Sequence, residues 1–135
     1  MNGLHIIGDL GGCRCDPQLL LDGAGFRSKC LELVADSGLT TMDATFHQFE
    51  GSGFTGTVVL AESHLAIHTW PERQGLTLDV YVCNYSDDNS AKARKLFDSI
   101  VGYFQPAEIA RHEVERGGHL LMEPLNDSTG FYIKA

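Results

Sequence analysis

The chain has 135 residues, of which 43% are hydrophobic, and this suits a single compact domain that buries a usable core. Its formal net charge of −8 and the lack of a basic stripe argue against a protein that binds nucleic acid. It contains no apolar run near the ~20 residues that span a bilayer, and its N-terminus lacks the pattern of a signal peptide. We therefore expect a cytoplasmic protein that contacts neither nucleic acid nor membrane.

The first part of the chain is predicted to form a strand and then a helix. Residues 4–10 are apolar and strand-like, and apolar residues then recur at helical spacing as far as Asp36. Asp16 and Pro17 are typical of a helix start. Two glycines interrupt the spacing, so a start near Ala24 is the alternative.

Strand-like runs dominate the middle of the chain. They lie at residues 40–49, 54–61, 63–70 and 75–83. A second helix is predicted at residues 91–103, and a last strand at residues 107–114. Because the links between the middle strands are short, this order favours an α+β two-layer sandwich, an antiparallel β-sheet with helices packed on one face.

The four cysteines match no common metal or disulfide pattern. Cys13 and Cys15 follow His5 closely, but a fourth ligand at sensible spacing is missing, so no metal is expected. A reducing compartment argues against structural disulfides. Cys30 lies on the apolar face of the first helix and is expected in the core.

Residues 62–72 carry the clearest chemical signal. They read Glu-Ser-His-Leu-Ala-Ile-His-Thr-Trp-Pro-Glu. A serine in a strained turn can attack the carbonyl carbon before it, and a base can then remove the serine Cα proton, which leads to a pyruvoyl group. Because side chains alternate along a strand, Ser63 and His68 would point to opposite faces. The segment must therefore kink at its start, or the geometry must come from elsewhere.

This segment resembles the self-cleavage site of the prokaryotic S-adenosylmethionine decarboxylase proenzymes, which make a pyruvoyl cofactor from an internal serine. Residues 45–49, 79–83 and 112–117 resemble other segments of the same family. The resemblance extends over most of residues 3–117.

The resemblance implies an enzyme that cleaves itself between Glu62 and Ser63 into a β chain of residues 1–62 and an α chain of residues 63–135. Ser63 would become the pyruvoyl cofactor, with which the substrate amine forms a Schiff base. The implied reaction converts S-adenosylmethionine to carbon dioxide and decarboxylated S-adenosylmethionine, the aminopropyl donor of spermidine and polyamine biosynthesis.

The resemblance also implies roles for three further residues. His68 matches the base that takes the Cα proton during processing, and Cys83 matches the acid that returns a proton after carbon dioxide leaves. Thr55 stands where the family usually has a serine that stabilises the oxyoxazolidine intermediate. Threonine keeps the hydroxyl but is stiffer at χ1, so slower processing is expected.

Substrate contacts and assembly follow from the same resemblance. Phe49 is expected to stack on the adenine, Glu72 to bind the ribose hydroxyls and Asp9 to lie near the sulfonium. Members of the family form homodimers of αβ units with sites at or near the dimer interface, so the partner is expected to contribute contacts.

Two alternatives stay open at this stage. After the catalytic cysteine the family commonly has Gly and an Asp-Pro helix start, whereas this chain has Asn84, Asp87 and Asp88 in that segment. This acidic group could hold a guanidinium or ammonium, which favours a pyruvoyl-dependent decarboxylase of arginine or ornithine as the first alternative. The second alternative is a homologue that binds a ligand and does not process itself.

Overall fold

The computed structural model describes residues 2–120 of the chain, so the end of the predicted α chain lies outside it. Six strands form one sheet in the order β2-β3-β4-β5-β1-β6, and all neighbouring strands run antiparallel. The strands are β1 (Gly3–Gly11), β2 (Thr41–Gln48), β3 (Phe54–Leu60), β4 (Ser63–Trp70), β5 (Gly75–Cys83) and β6 (Glu108–Arg116). The helices are α1 (Gln18–Leu21), α2 (Gly23–Asp36) and α3 (Ser90–Phe104). The predicted α+β class, with an antiparallel sheet and helices on one face, is confirmed.

The core lies between the helices and one face of the sheet, here called the covered face. Alternate residues of the central strands are buried on it, among them Ile6, Leu65 and Val80, each with 0% of its surface exposed. Phe26 of α2 and Phe97 of α3 fill the same layer and are equally buried. Within residues 2–120, no helix packs on the opposite face, here called the open face.

A short helix, α1, begins directly after Asp16 and Pro17 as predicted, but it ends after four residues. The long helix α2 then begins at Gly23, within one residue of the alternative start near Ala24. Asp22 caps the long helix α2, and its carboxylate accepts a hydrogen bond of 2.9 Å from the backbone N–H of Gly25. A Cβ atom on Gly25 would collide with that carboxylate. The glycine that interrupts the helical pattern therefore makes room for the cap.

The predicted core position of Cys30 is confirmed, since its side chain is completely buried. Burial also raises the pKa of the Cys30 thiol to about 12 and that of Cys13 to about 11, so both stay protonated at neutral pH. None of the helices in the described residues is both long enough and apolar enough to cross a membrane.

Candidate active site

Polar side chains cross the open face in rows, because the antiparallel register places them side by side on neighbouring strands. One row contains His47, Thr55, His68, Thr77 and Asp9. The candidate residues divide between two ends of this sheet. The cleavage cluster consists of Glu62, Ser63 and Cys83, and the histidine cluster consists of Thr55, His68, Phe49, Asp9 and Glu72.

The cleavage cluster is built on the tight turn between β3 and β4. Leu60 pairs with Ser63, so only two residues form the turn. Regular alternation would put Ser63 on the covered face with Leu65, but Ser63 has a φ angle of +136°. This region is costly for a residue other than glycine, so the backbone is strained at the first residue of β4. The start of the segment therefore departs from regular strand geometry, although it does not bring Ser63 to His68.

The peptide bond before Ser63 has a hydrogen-bond donor on its carbonyl oxygen. The backbone N–H of Cys83 donates to the carbonyl oxygen of Glu62 over 2.9 Å. A donor in this place stabilises negative charge on the oxygen when a nucleophile attacks the carbonyl carbon. The sequence does not indicate this donor, because every residue except proline carries a backbone N–H.

Hydrogen bonds hold the side chain of Glu62 in addition to its backbone carbonyl. Its carboxylate accepts hydrogen bonds from the backbone N–H of Ser86 at 3.2 Å, from the Ser86 hydroxyl, and from Asn89 Nδ2 at 2.6 Å. These bonds, led by the one from the Ser86 hydroxyl, lower the pKa of the Glu62 carboxyl below its ordinary value. The group borders a pocket of about 170 Å³ that Asp87 and Lys92 also line.

The histidine cluster centres on a cross-strand pair. Thr55 lies directly opposite His68, and the Thr55 hydroxyl is 2.9 Å from His68 Nδ1. Phe49 is 47% exposed just beyond the end of β2, with its ring against the edge of His47. Asp9 is exposed in the same row as His68.

Glu72 lies at this end of the sheet too. It is exposed in the 3₁₀ turn Pro71–Arg73, which joins β4 to β5. All five candidates of the histidine cluster therefore lie toward the same end of the sheet, spread across the strands from β2 to β1, although they come from four separate stretches of the chain.

A single chain does not bring the two clusters together. Ser63 and His68 stand at opposite ends of β4, and five residues of strand at 3.3 Å each separate them by roughly 16 Å. The structure thus joins Cys83 to the cleavage site and Thr55 to His68. It leaves the expected base far from the Cα proton of Ser63 in the same copy.

The acidic group that motivated the arginine or ornithine alternative is largely used by the loop itself. Asp88 Oδ1 accepts a bond of 3.0 Å from the N–H of Ser90 at the start of α3. Asn84 accepts from the Asn89 N–H at 2.8 Å and donates to the Ser90 hydroxyl at 3.1 Å. Two of its three members therefore have structural partners within the loop.

Comparisons with known proteins agree on one family. The family model for S-adenosylmethionine decarboxylase matches residues 4–117. A protein of Aquifex aeolicus (strain VF5) named S-adenosylmethionine decarboxylase proenzyme is 38% identical over 122 residues, which cover 85% of this chain and 81% of that protein. A protein of the same name from Archaeoglobus fulgidus is 34% identical over 115 residues, covering 85% of this chain and 97% of its own.

A solved structure is similar over almost the whole chain. The crystal structure of the adenosylmethionine decarboxylase from Aquifex aeolicus VF5 superimposes with a TM-score of 0.75 at 36% sequence identity. The match covers 93% of this chain and 97% of the other.

Proposed function

Because the chain belongs to the S-adenosylmethionine decarboxylase family, we propose that it cleaves itself between Glu62 and Ser63 and then decarboxylates S-adenosylmethionine. The family resemblance places the product, decarboxylated S-adenosylmethionine, in spermidine and polyamine biosynthesis. The observation that carries the self-cleavage proposal is the Glu62 carbonyl, which is bonded to the Cys83 N–H and followed by a serine at positive φ.

The first step of cleavage is an acyl shift from nitrogen to oxygen. Ser63 Oγ attacks the carbonyl carbon of Glu62, and the Cys83 N–H stabilises the charge that develops on the carbonyl oxygen. The C–N bond then breaks, the new ester links Glu62 to Ser63 Oγ, and the hydroxyl proton passes to the freed nitrogen. Strain at Ser63 favours this step because the amide that holds the strained backbone is lost.

The second step is an elimination that needs a base. Removal of the Cα proton of Ser63 breaks the Cβ–O bond of the ester and releases Glu62 with a free carboxylate. The remaining enamine tautomerises, one water adds, and ammonia leaves, so that a pyruvoyl group stands at the start of the α chain. His68 is the proposed base, but its own Ser63 lies roughly 16 Å away along β4.

A second copy of the chain would bring a His68 side chain to the cleavage site. If two open faces pack together about a two-fold axis that runs between the sheets and across the strands, the cleavage cluster of one copy meets the histidine cluster of the other. The open face exposes apolar side chains that such packing would bury: Val59 is 48% exposed, Val114 42% and Trp70 40%. We therefore propose a homodimer in which the partner supplies His68 and Thr55 to each cleavage site.

The residues at the cleavage site fit a pyruvoyl group, since Ser63 is its precursor and the strand β5 beside it ends in the half-buried thiol of Cys83. When formed, that group supplies an electron sink for decarboxylation. Cys83 would hold the proton that is returned to the substrate after carbon dioxide leaves. Phe49, Glu72 and Asp9 are the proposed contacts to the adenine, the ribose hydroxyls and the sulfonium of the substrate.

The remaining expectations from the sequence concern the alternative substrate, the division into two chains, the location and the non-processing homologue. The comparisons give no support to a basic amino acid as substrate, and Asp88 and Asn84 are bonded within their loop. The division into residues 1–62 and 63–135 and the cytoplasmic location stay predictions. A homologue that does not process itself is an outcome of the experiment below.

Two inactive variants test the proposal together. Ser63→Ala removes the nucleophile, and His68→Ala removes the base, so neither chain is expected to cleave itself when expressed alone. In a mixed dimer the His68→Ala chain keeps Ser63 and receives His68 from the Ser63→Ala partner. Co-expression with different tags should therefore cleave the His68→Ala chain only, into fragments ending and beginning at residues 62 and 63.

The outcomes separate the parts of the proposal. If the wild-type chain stays intact by mass on prolonged incubation, self-cleavage is wrong and the non-processing homologue is the better account. If the wild type cleaves but co-expression gives no fragments, the base acts within one copy. Fragments whose larger piece has a free α-amino group would mean ordinary hydrolysis without a pyruvoyl group.

A further inference from the structure

Hydrogen bonds hold the carboxylate of Glu62, although the proposed cleavage chemistry requires only the backbone carbonyl of this residue. Three hydrogen bonds reach it from the segment between β5 and α3, two from Ser86 and one from Asn89. An exposed turn residue with no structural duty would leave its carboxylate to solvent. The bonds therefore fix the conformation of the residue whose peptide bond is to be cleaved.

Asn89 connects this carboxylate to the backbone that holds the carbonyl. Its Nδ2 group donates to Glu62 Oε2 at 2.6 Å and to the carbonyl oxygen of Cys83 at 3.0 Å. The N–H of the same Cys83 donates to the Glu62 carbonyl. The bonds form a closed circuit among Glu62, Cys83 and Asn89, and we call these residues together with Ser86 the clamp.

Asn89 is itself firmly placed. It is 5% exposed, and its backbone N–H donates to Asn84 Oδ1 at 2.8 Å. A buried amide with fixed partners holds its neighbours in one geometry, since any other arrangement would leave polar groups without bonds. Asn89 also lies in the segment where this chain departs from the usual Gly and Asp-Pro pattern of the family.

The clamp explains how the strained backbone at Ser63 persists. A non-glycine residue at a φ of +136° stays there only when the surrounding structure over-determines it. On one side, Ser63 pairs with Val82 in the sheet. On the other side, Cys83 holds the carbonyl of Glu62, while Ser86 and Asn89 hold its carboxylate. The strain therefore cannot relax by rotation of residue 62.

We propose that Asn89, supported by Ser86, is a positioning residue for self-cleavage, which holds the Glu62 carboxylate so that the scissile carbonyl stays on the Cys83 N–H. The inference rests on the proposed self-cleavage and assigns one step of it. The clamp acts on the acyl shift, before any base is required. Asn89 and Ser86 themselves do not touch the reacting atoms.

The acyl shift can be measured apart from the elimination. In a His68→Ala background the ester should accumulate without eliminating, and hydroxylamine cleaves esters but spares amides. The rate of hydroxylamine-dependent cleavage then reports the acyl shift alone. Adding Asn89→Ala should lower that rate by about 10-fold, the usual effect of losing a hydrogen bond to a charged group.

A matched control lies next to it in the same loop. Asp88→Ala removes the bond to the Ser90 N–H and so weakens the start of α3, without touching Glu62. Its effect on the hydroxylamine-dependent rate should stay within about twofold. Ser86→Ala should fall between the two, because the Ser86 N–H and Asn89 still hold the carboxylate.

A double-mutant cycle tests whether Asn89 acts through Glu62. Glu62→Ala and Asn89→Ala should each slow the acyl shift, and the double variant should be no slower than the worse single one. Additive losses would mean that Asn89 acts by another route and would overturn the inference. A rate unchanged by Asn89→Ala would overturn it too, and self-cleavage itself would stand. Absence of any hydroxylamine-dependent cleavage in His68→Ala alone would instead contradict the proposed function.

Discussion

The two faces of the sheet differ in what they need from outside the chain. On the covered face, alternate strand residues such as Leu65 and Val80 are fully buried within the single chain. On the open face, Val59 and Trp70 are 48% and 40% exposed, and the candidate catalytic groups stand at two distant ends. The covered face is complete in one chain, whereas the two clusters of the open face stay apart in one chain and would meet only in the proposed dimer.

The contrast between the two faces predicts that neighbouring residues on one strand affect different properties, one the stability of the fold and the other the proposed catalysis. Because strand side chains alternate, a residue that supports the core is followed directly by one on the open face, where the proposed site lies. Substitutions one position apart should therefore have unlike consequences. Val82 and Cys83 at the end of β5 offer the sharpest pair, since Val82 is fully buried and Cys83 is on the open face.

The largest effect is expected at this pair. Cys83→Ala should lower kcat for decarboxylation by roughly 100- to 10,000-fold, the usual contribution of a positioned proton donor. Its self-cleavage should persist, because the alanine backbone still offers an N–H to the Glu62 carbonyl. Val82→Ala should cost about 2 kcal/mol of stability through lost burial, with kcat of the folded enzyme within about twofold. Carbon dioxide release and chemical denaturation measure the two effects.

The comparison of faces fails if the pair behaves alike. Equal loss of kcat in both variants would mean that packing at Val82 controls the site. A Cys83→Ala enzyme with normal turnover would mean that another group donates the proton.

A smaller effect is expected at the histidine cluster. Thr55→Val keeps the shape of the side chain but removes the hydroxyl that lies 2.9 Å from His68 Nδ1, so self-cleavage should slow by about 10-fold. Thr55→Ser keeps the hydroxyl and frees χ1, so it should cleave at least as fast as the wild type. The appearance of fragments with time measures both rates.

Thr57 provides the control on the same strand and face. It lies opposite Ala66, two residues beyond Thr55, and has no bond to His68. Thr57→Val should leave the rate of self-cleavage unchanged. If Thr57→Val slows cleavage as much as Thr55→Val does, the slowing follows from the loss of any hydroxyl on the open face. The hydrogen bond between Thr55 and His68 would then not be its specific cause.

The covered face and the site were not equally predictable from the sequence. Strand-forming composition, alternation and turn glycines predicted every strand to within about two residues. Burial on one face imposes the alternation directly on strands such as β4 and β5. For the first helix the sequence left two starts open, at Asp16–Pro17 and near Ala24, and the long helix α2 begins at Gly23. A local cap at Asp22 decides it, and its partner Gly25 reads as a helix breaker when the cap is not known.

The site depended on contacts between distant segments. The pairing of Thr55 with His68 follows from strand register, which the sequence does not state. The Cys83 N–H on the Glu62 carbonyl could not be seen because backbone groups are common to all residues. Asn89 was missed as well, since one asparagine before a helix looks like an ordinary cap. Alternation did indicate that Ser63 and His68 could not meet on a regular strand.

The smallest effect concerns the covered face alone. Asp22→Ala should cost about 1 kcal/mol of unfolding free energy, because it removes the N-cap of the 14-residue helix α2. Asp16→Ala removes a bond of 3.0 Å to the Gln18 N–H of the four-residue α1 and should cost about 0.5 kcal/mol or less. Urea denaturation in a Ser63→Ala background keeps the chain intact for both measurements. If Asp16→Ala lowered the free energy of unfolding more than Asp22→Ala, the stabilising cap would lie at Asp16, the first of the two helix starts that the sequence predicts.

A change of cleavage rate in an otherwise wild-type Asp22→Ala chain would show that the covered face also affects the chemistry of the open face.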